Sequence, residues 1–251
     1  MAWDSQQYLK FANERNRPCL DLISKLQGDF NTILDLGCGP GNSSKNLFHQ
    51  YRYAKIVGFD ADENMLEKAR NDCPSLELIK GRAPDDFDKL NTKFDLVFSN
   101  ACIHWIENQE NLIEEIAKLL NQGGVFAAQI PATDEALFYK ILNELIRRKW
   151  SKLRAVKNFH SLNPSGYYHV LIKYFSEIEM WQTHYYHIVE KQMILEWYKG
   201  SGLRTYLSLL DDAQKKEFLD DLQMEIDRTY SELADGKSFL IMPRFFFIAK
   251  K

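Results

Sequence analysis

Thr32-Ile33-Leu34-Asp35-Leu36-Gly37-Cys38-Gly39-Pro40-Gly41 is a short apolar run that ends in glycines at every second position. The apolar part fits a strand buried on both faces, as in a parallel sheet. Glycines directly behind it let the chain turn tightly and bring backbone close to a ligand, with no Cβ in the way. A helix expected from Asn42 or Ser43 then presents free N–H groups to electronegative atoms. Strand, glycine turn and helix together open a βαβ unit.

The alternation continues outward from that stretch. Upstream, Cys19, Leu22, Ile23 and Leu26 share one helical face, and Pro18 suits a first turn. Downstream, residues 55–60 read as a second strand, and Asp62 as the cap of a helix that turns Met65, Leu66 and Ala69 inward. Residues 76–80 and 94–100 are the next strands. A helix over 109–120 stops near Gly123-Gly124, and 125–130 form a fifth strand closed by Pro131. Beyond Pro131 the rhythm changes. Residues 134–173 and 192–231 are expected to be mostly helical, with strands at 176–189 and 238–249. The fold expected is α/β, a doubly wound, mostly parallel seven-stranded sheet with a helical cap insertion. No linker divides it, so 1–251 is read as a single domain, with a core at 30–131 and cap segments at 132–175 and 190–235.

Composition narrows the function. With 45% hydrophobic residues in 251, the chain can bury a core and is not disordered. Lys plus Arg against Asp plus Glu gives 32 − 35 = −3, which argues against a nucleic-acid or anionic-membrane partner. Cys19, Cys38, Cys73 and Cys102 are scattered, and read as reduced thiols rather than disulfides or metal ligands. The first residues lack a signal peptide's features, and no apolar run reaches the ~18 residues of a membrane span. A cytoplasmic monomer or weak homodimer with no metal, acting on a small molecule, is the expectation.

Asp35 stands two residues before the first glycine, and Asp60 follows Gly41 by nineteen residues, at the end of the second strand. That is where a carboxylate takes the hydroxyls of a ribose. The loop is Gly-x-Gly-x-Gly, not the Gly-x-Gly-x-x-Gly that seats a pyrophosphate. An acid at Asp35 would repel a pyrophosphate, whereas it would attract the ammonium or sulfonium of S-adenosylmethionine.

On these residues the chain resembles the class I S-adenosylmethionine-dependent methyltransferases, and within them the trans-aconitate 2-methyltransferase family. Further stretches carrying the resemblance are Tyr8-Leu9-Lys10-Phe11-Ala12-Asn13-Glu14-Arg15-Asn16-Arg17-Pro18 and 94–101 with His104-Trp105. Others are Trp181 to His187, Glu196-Trp197-Tyr198-Lys199-Gly200-Ser201-Gly202-Leu203-Arg204 running on to Leu207, Ala234-Asp235-Gly236, and Pro243-Arg244-Phe245. The resemblance implies that Asp35, Gly37 and Gly39 line the methionine part of the cofactor and Asp60 its ribose. Met65 would pack on the adenine or simply fill the core, and Asn100 with Ala101 would bring backbone near the sulfonium. Many relatives have Gly-Asp after the third strand, where this chain has Gly81-Arg82. An arginine accepts no hydrogen bond, so the adenine contact passes to backbone around Ala83 or to Asp85.

For the methyl acceptor the resemblance implies an anion. Arg15, Arg17, Arg204 and Arg244 lie in the resembling stretches near Tyr8, Trp197, Tyr198 and Phe245. Arginines form bidentate, charge-assisted bonds to carboxylates. Tyr8, Arg15, Trp197, Arg204 and Arg244 are the acceptor-binding candidates, with His104 as a positioning group. His184 and His187 lack metal-ligand spacing and read as structural, or at most as contributors to the pocket wall. The basic run Arg147 to Arg154 reads as a solvated helix face rather than an RNA site. The reaction implied is esterification of a small polycarboxylic acid, yielding S-adenosylhomocysteine. A carboxylate is already ionised at neutral pH and needs no strong base. Ala132-Thr133-Asp134 replaces the family's usual continuation after Pro131. That leaves open a carrier-linked malonyl or other acid as acceptor, and a non-catalytic S-adenosylmethionine sensor.

Overall fold

The structure, a computed structural model, describes residues 12–251, with their side chains from Asn16 onward. Seven strands form one sheet in the order β3-β2-β1-β4-β5-β7-β6. They are β1 Thr32–Leu36, β2 Lys55–Asp60, β3 Glu77–Lys80, β4 Phe94–Asn100, β5 Leu120–Pro131, β6 Glu177–Val189 and β7 Ser238–Lys250. Strands β1 to β5 pair in parallel. Strand β7 runs against β5: the start of β5 bonds the chain's end, Gly123 N to Lys251 O at 3.2 Å and Lys251 N to Gly124 O at 2.9 Å. The expected α/β fold, doubly wound and mostly parallel, is the one observed.

The helices are α1 Ala12–Lys25, α2 Asn42–Gln50, α3 Glu63–Asp72, α4 Gln109–Leu119, α5 Leu137–Arg148, α6 Pro164–Leu171, α7 Lys191–Lys199, α8 Arg204–Leu207 and α9 Asp212–Thr229. Asp62 caps α3 as expected, its side chain accepting from Met65 N at 3.2 Å. Helix α1 corrects the sequence reading. It begins at Ala12, so Pro18 lies inside it rather than in its first turn. An interior proline forgoes one backbone bond. Here Pro18 is buried alongside Cys19, Leu22 and Ile23, and that packed face holds the helix. Residues 149–163, expected to be helical, are mostly not. Pro164 opens α6 behind its cap, Asn163, whose side chain accepts from Gly166 N at 2.8 Å.

The chain divides into two compact units. The first holds the chain to Ile130, Phe159–Gln182 and Phe245–Lys251; the second holds Pro131–Asn158 and Thr183–Arg244. Residues 159–175, expected in the cap, therefore group with the first unit. Its interior includes Phe126 edge-on to Phe247 at 5.1 Å and Tyr167 stacked on Phe245 at 5.8 Å. The second unit is centred on Phe138 stacked against Tyr198 at 3.6 Å, and on Trp150 edge-on to Phe218 at 5.1 Å. The basic run there faces acids of α9. Arg148 pairs with Glu225, Lys149 with Glu217 and Asp221, and Trp150 Nε1 donates to Asp221 at 2.8 Å. The basic side chains of the run stay exposed, so the expected solvated face is observed, with some of its charges paired to acids of α9. Among the described residues, no helix is long and apolar enough to cross a membrane.

Candidate active site

Strand order reverses between β1 and β4, and in open α/β sheets ligands sit beyond the carboxyl ends of strands at such a switch point. Asp35, one residue from the end of β1, is fully buried. Ser43 and Ser44, in the first turn of α2, donate their hydroxyls to its Oδ2 at 2.8 and 2.5 Å. Its Oδ1 is buried without a partner. Burial pushes the carboxyl up to about 6; the two serine hydroxyls oppose that shift and nearby Asp60 adds to it.

The glycine turn is tied to the end of β2. Gly37 N and Cys38 N both donate to Phe59 O, and Gly39 N donates to Asp60 Oδ2 at 2.9 Å. Asp62 N donates to Asp60 Oδ1 at 2.9 Å, so backbone N–H groups fix both oxygens of the carboxylate, with Ala61 N–H adding to them. A carboxylate has about four acceptor positions, so it can still take a further donor. Burial raises the Asp60 pKa against those backbone bonds. At Gly37 (φ 74) a Cβ would fall 2.1 Å from Cys102 Sγ, so the turns after β1 and β4 pack directly on each other.

Register places one row of side chains on a single face of the sheet. Asp35 pairs with Phe98 on β4, and Phe98 with Ala127 on β5. Two residues further along, Asn100 pairs with Gln129. Side chains alternate with period two, so Asn100 and Gln129 share the Asp35 face. Asn100 Oδ1 and Gln129 Nε2, like Asp35 Oδ1, are buried without hydrogen-bond partners. Ala101 follows in the left-handed region (φ 54), its N–H bonded to Gln129 O at 2.8 Å. The sequence reading missed Gln129. Its signal was there: one amide in the otherwise apolar run 125–130.

The other first-unit candidates fall as follows. Met65 is buried on α3. Ala83 is half-buried in a loop closed by Arg82 N donating to Asp86 Oδ2 at 2.8 Å, while Asp85 is exposed. His104 is buried just after β4, its ring 4.9 Å from Trp105 and 5.4 Å from Phe159. His104 O accepts from His160 N at 2.8 Å, which fastens the 159–160 segment to this turn.

The remaining candidates belong to the second unit or lie outside the described residues. Trp197 is buried with its ring 5.2 Å from His187. Arg204 opens α8, and Arg244 on β7 reaches Met242 Sδ at 3.8 Å; both are half-buried. Gly202 is close-packed, since a Cβ there would lie 2.1 Å from the Tyr139 hydroxyl. Tyr8 and the side chain of Arg15 lie outside the described residues.

Residues 33–124 match a family model described as a methyltransferase domain. A trans-aconitate 2-methyltransferase of Rhizobium rhizogenes is 35% identical, with all of both chains covered. One from Azoarcus is 33% identical over 98% of each. The chain belongs to the trans-aconitate 2-methyltransferase family. It is thus an S-adenosylmethionine-dependent methyltransferase. Solved structures share its fold. The YcgJ protein of Bacillus subtilis aligns with TM-score 0.61 at 14% identity, covering 94% of this chain and 98% of its own. A Haemonchus contortus phosphoethanolamine N-methyltransferase 2, with S-adenosylhomocysteine bound, aligns with TM-score 0.57 at 17% identity, covering 94% and 52%.

The observed site fits such a cofactor. A buried carboxylate oxygen without a donor suits a cationic group, and a backbone-fixed carboxylate at the end of β2 suits a diol.

Proposed function

We propose that the chain methylates a carboxylate of trans-aconitate or a closely similar small polycarboxylic acid. The observation that carries the cofactor half is the unpartnered Asp35 Oδ1, an acceptor buried at the switch point. The acceptor half is supported by full-length likeness to trans-aconitate 2-methyltransferases and by the supply of half-buried arginines.

S-adenosylmethionine, when bound, supplies an electrophilic methyl group on a sulfonium. Asp35 holds the cationic end, Asp60 accepts from the ribose hydroxyls, and backbone at Gly37, Gly39, Asn100 and Ala101 completes the cofactor side. Met65 and backbone at Ala83 serve the adenine. Arg204 and Arg244 grip those acceptor carboxylates that do not react, because neutralising the reacting one would weaken it as a nucleophile. The chain needs no strong base, since the acceptor arrives ionised. Its contribution is alignment and exclusion of water. His104, Trp105 and Phe159 form an aromatic wall at the turn after β4. We read the protein as a cytoplasmic monomer or weak homodimer acting without nucleic acid, membrane or metal. The expected segments 132–175 and 190–235, without 159–175, which group with the first unit, share acceptor selection with Arg244 beyond them.

The test is transfer of a labelled methyl from S-adenosylmethionine across tricarboxylic and dicarboxylic acids, malonyl carriers and small amines. Base-labile label on trans-aconitate is the expected result. Label on malonyl carriers alone replaces the acceptor, and label on amines alone overturns carboxylate chemistry. Cofactor binding without transfer to any of them would make the chain a sensor.

A further inference from the structure

Two buried glutamines sit close to the turn after β4, and the fold treats them differently. Gln109 is fully used: Nε2 donates to Ile103 O at 2.7 Å and Ile106 O at 2.6 Å, while Oε1 accepts from the Tyr167 hydroxyl at 2.9 Å. Gln129, only 1% exposed, leaves Nε2 without any acceptor. Buried amides are normally satisfied. An amide held unmatched at the carboxyl end of a central strand calls for a partner, either a ligand or the neighbouring Asn100 amide.

The polarity of the row says which partner. Asp60 on β2 and Asp35 on β1 offer only acceptor oxygens, with Asp35 Oδ1 unpartnered, and Asn100 on β4 carries an unpartnered Oδ1 beside an amide N–H2 that can donate. Such oxygens suit the cationic and hydroxyl-bearing groups of the cofactor. The next strand, β5, adds a second amide to the row, and there the buried unpartnered atom is a donor, Gln129 Nε2. A donor N–H is wrong for a sulfonium or an ammonium, and right for a carboxylate oxygen, which the methyl acceptor and the methionine end of the cofactor both carry and which cofactor affinity tells apart. An uncharged donor also orients a carboxylate without quenching its nucleophilicity, as a guanidinium would.

We propose that Gln129 is an acceptor-binding group of this methyltransferase, its Nε2–H donating to a carboxylate oxygen of the methyl acceptor. The inference rests on the carboxylic-acid reading above. The competing role is structural, with the Gln129 and Asn100 amides bonding each other across the β4–β5 pair after a change of rotamer.

The experiment uses the full-length enzyme and compares Gln129→Leu and Gln129→Glu with the parent. The readouts are S-adenosylhomocysteine affinity by calorimetry, steady-state kinetics with trans-aconitate, and thermal unfolding. Gln129→Leu is expected to leave cofactor Kd within about twofold and not to lower Tm, because it removes an unmatched polar group. It is expected to cut kcat/KM for the acid roughly 10- to 100-fold, mainly through KM, the usual worth of a hydrogen bond to a charged group. Gln129→Glu, which sets a carboxylate against a carboxylate, is expected to fall further while still binding cofactor. Weakened cofactor binding with an unchanged acceptor KM overturns the proposal, and so does parental kinetics in Gln129→Leu. A lowered Tm with unchanged KM supports the structural role and also overturns it. Should Gln129→Leu fail to fold, the KM of Gln129→Glu decides alone. A parent enzyme that binds cofactor yet methylates no carboxylic acid sinks the acceptor reading and this inference together, an outcome separate from the others.

Discussion

Ser44 donates its hydroxyl to Asp35 Oδ2 across 2.5 Å, from the first turn of the helix that follows the glycine turn. With Ser43 on the same oxygen, one side of the carboxylate is doubly bonded and Oδ1 is left bare. The serines fix the orientation of Asp35 without neutralising it. A lysine or arginine there would have satisfied the charge within the fold and left nothing for a cationic ligand. Stability is traded for a ready binding group, as functional sites commonly show.

That trade has a sign. The folded pKa of about 6 lies above the ordinary aspartate value near ~3.9. Asp35 therefore costs the fold nothing below the unfolded value, and its full penalty is present only above the folded one. At about 1.4 kcal/mol per pKa unit the penalty is roughly 3 kcal/mol. Asp35→Asn keeps an oxygen for the serines and removes the charge. It should raise stability by about 1–3 kcal/mol at pH 8, with the gain gone at pH 4, and should lose cofactor binding. Denaturant unfolding at the two pH values checks this; equal stability to the parent at pH 8 would contradict it.

The same carboxyl should make cofactor binding depend on pH. Protonated Asp35 does not attract a cation, so S-adenosylmethionine affinity should be at its greatest near pH 7. It should then fall as pH drops through about 6, approaching tenfold per unit well below that. Calorimetry in buffers of different ionisation enthalpy should show proton release on binding near pH 6. A constant Kd down to pH 5 would mean that the cationic end of the cofactor sits elsewhere.

Gly202 tests the local build of the second unit. A Cβ there would meet the Tyr139 hydroxyl at 2.1 Å and its ring carbons at 3.0 and 3.2 Å. Gly202→Ala should cost about 1–3 kcal/mol as an overpacking change. Tyr139→Phe removes the closest atom and should recover a good part of the loss. A double-mutant cycle on unfolding free energies measures that coupling, and additivity of the two changes would refute it.

Strands β1, β2 and β4 were legible because each is a short, mostly apolar run next to a turn signal, and buried parallel strands read that way. Strand β5 instead begins at Leu120, before the Gly123-Gly124 that read as a helix stop. Asp35 and Asp60 could be located from spacing alone. What could not be read was long-range. The row of Asp35, Asn100 and Gln129 exists only through the register of β1, β4 and β5, so the lone amide of β5 stood out in sequence without showing its neighbours. The run Arg147 to Arg154 is solvated as read, but the acids that pair with part of it, Glu217, Asp221 and Glu225, come some seventy residues later and could not be read from it. Pro18 read as a helix start because the apolar face that keeps the helix intact through it is a tertiary matter.

Asp221 joins two of those late contacts. It accepts from Trp150 Nε1 at 2.8 Å and pairs with Lys149 at 2.8 Å, with Trp150 itself buried. The exposed lysine pair is worth little, whereas the indole N–H would be left buried without a partner. Asp221→Ala should therefore cost about 1–3 kcal/mol, and Lys149→Ala less than about 1 kcal/mol. Equal losses, read from denaturant midpoints, would place the stabilisation in the ion pair instead.

Arg204 and Arg244 separate cofactor from acceptor. If they grip carboxylates that do not react, their loss removes binding common to ground and transition states. Arg204→Ala and Arg244→Ala should each raise the KM for trans-aconitate about tenfold or more, the scale of a charge-assisted bond. Both should leave kcat and S-adenosylhomocysteine Kd within about twofold. Arg→Lys at either position should restore little, since a lysine keeps the charge but loses the bidentate fork. A fall in cofactor affinity with unchanged acceptor KM would move that arginine to the cofactor side. Unchanged kinetics in both would leave the polyanion without its proposed anchors, and would shift the search to Tyr8, Arg15 and Arg17 near the amino terminus.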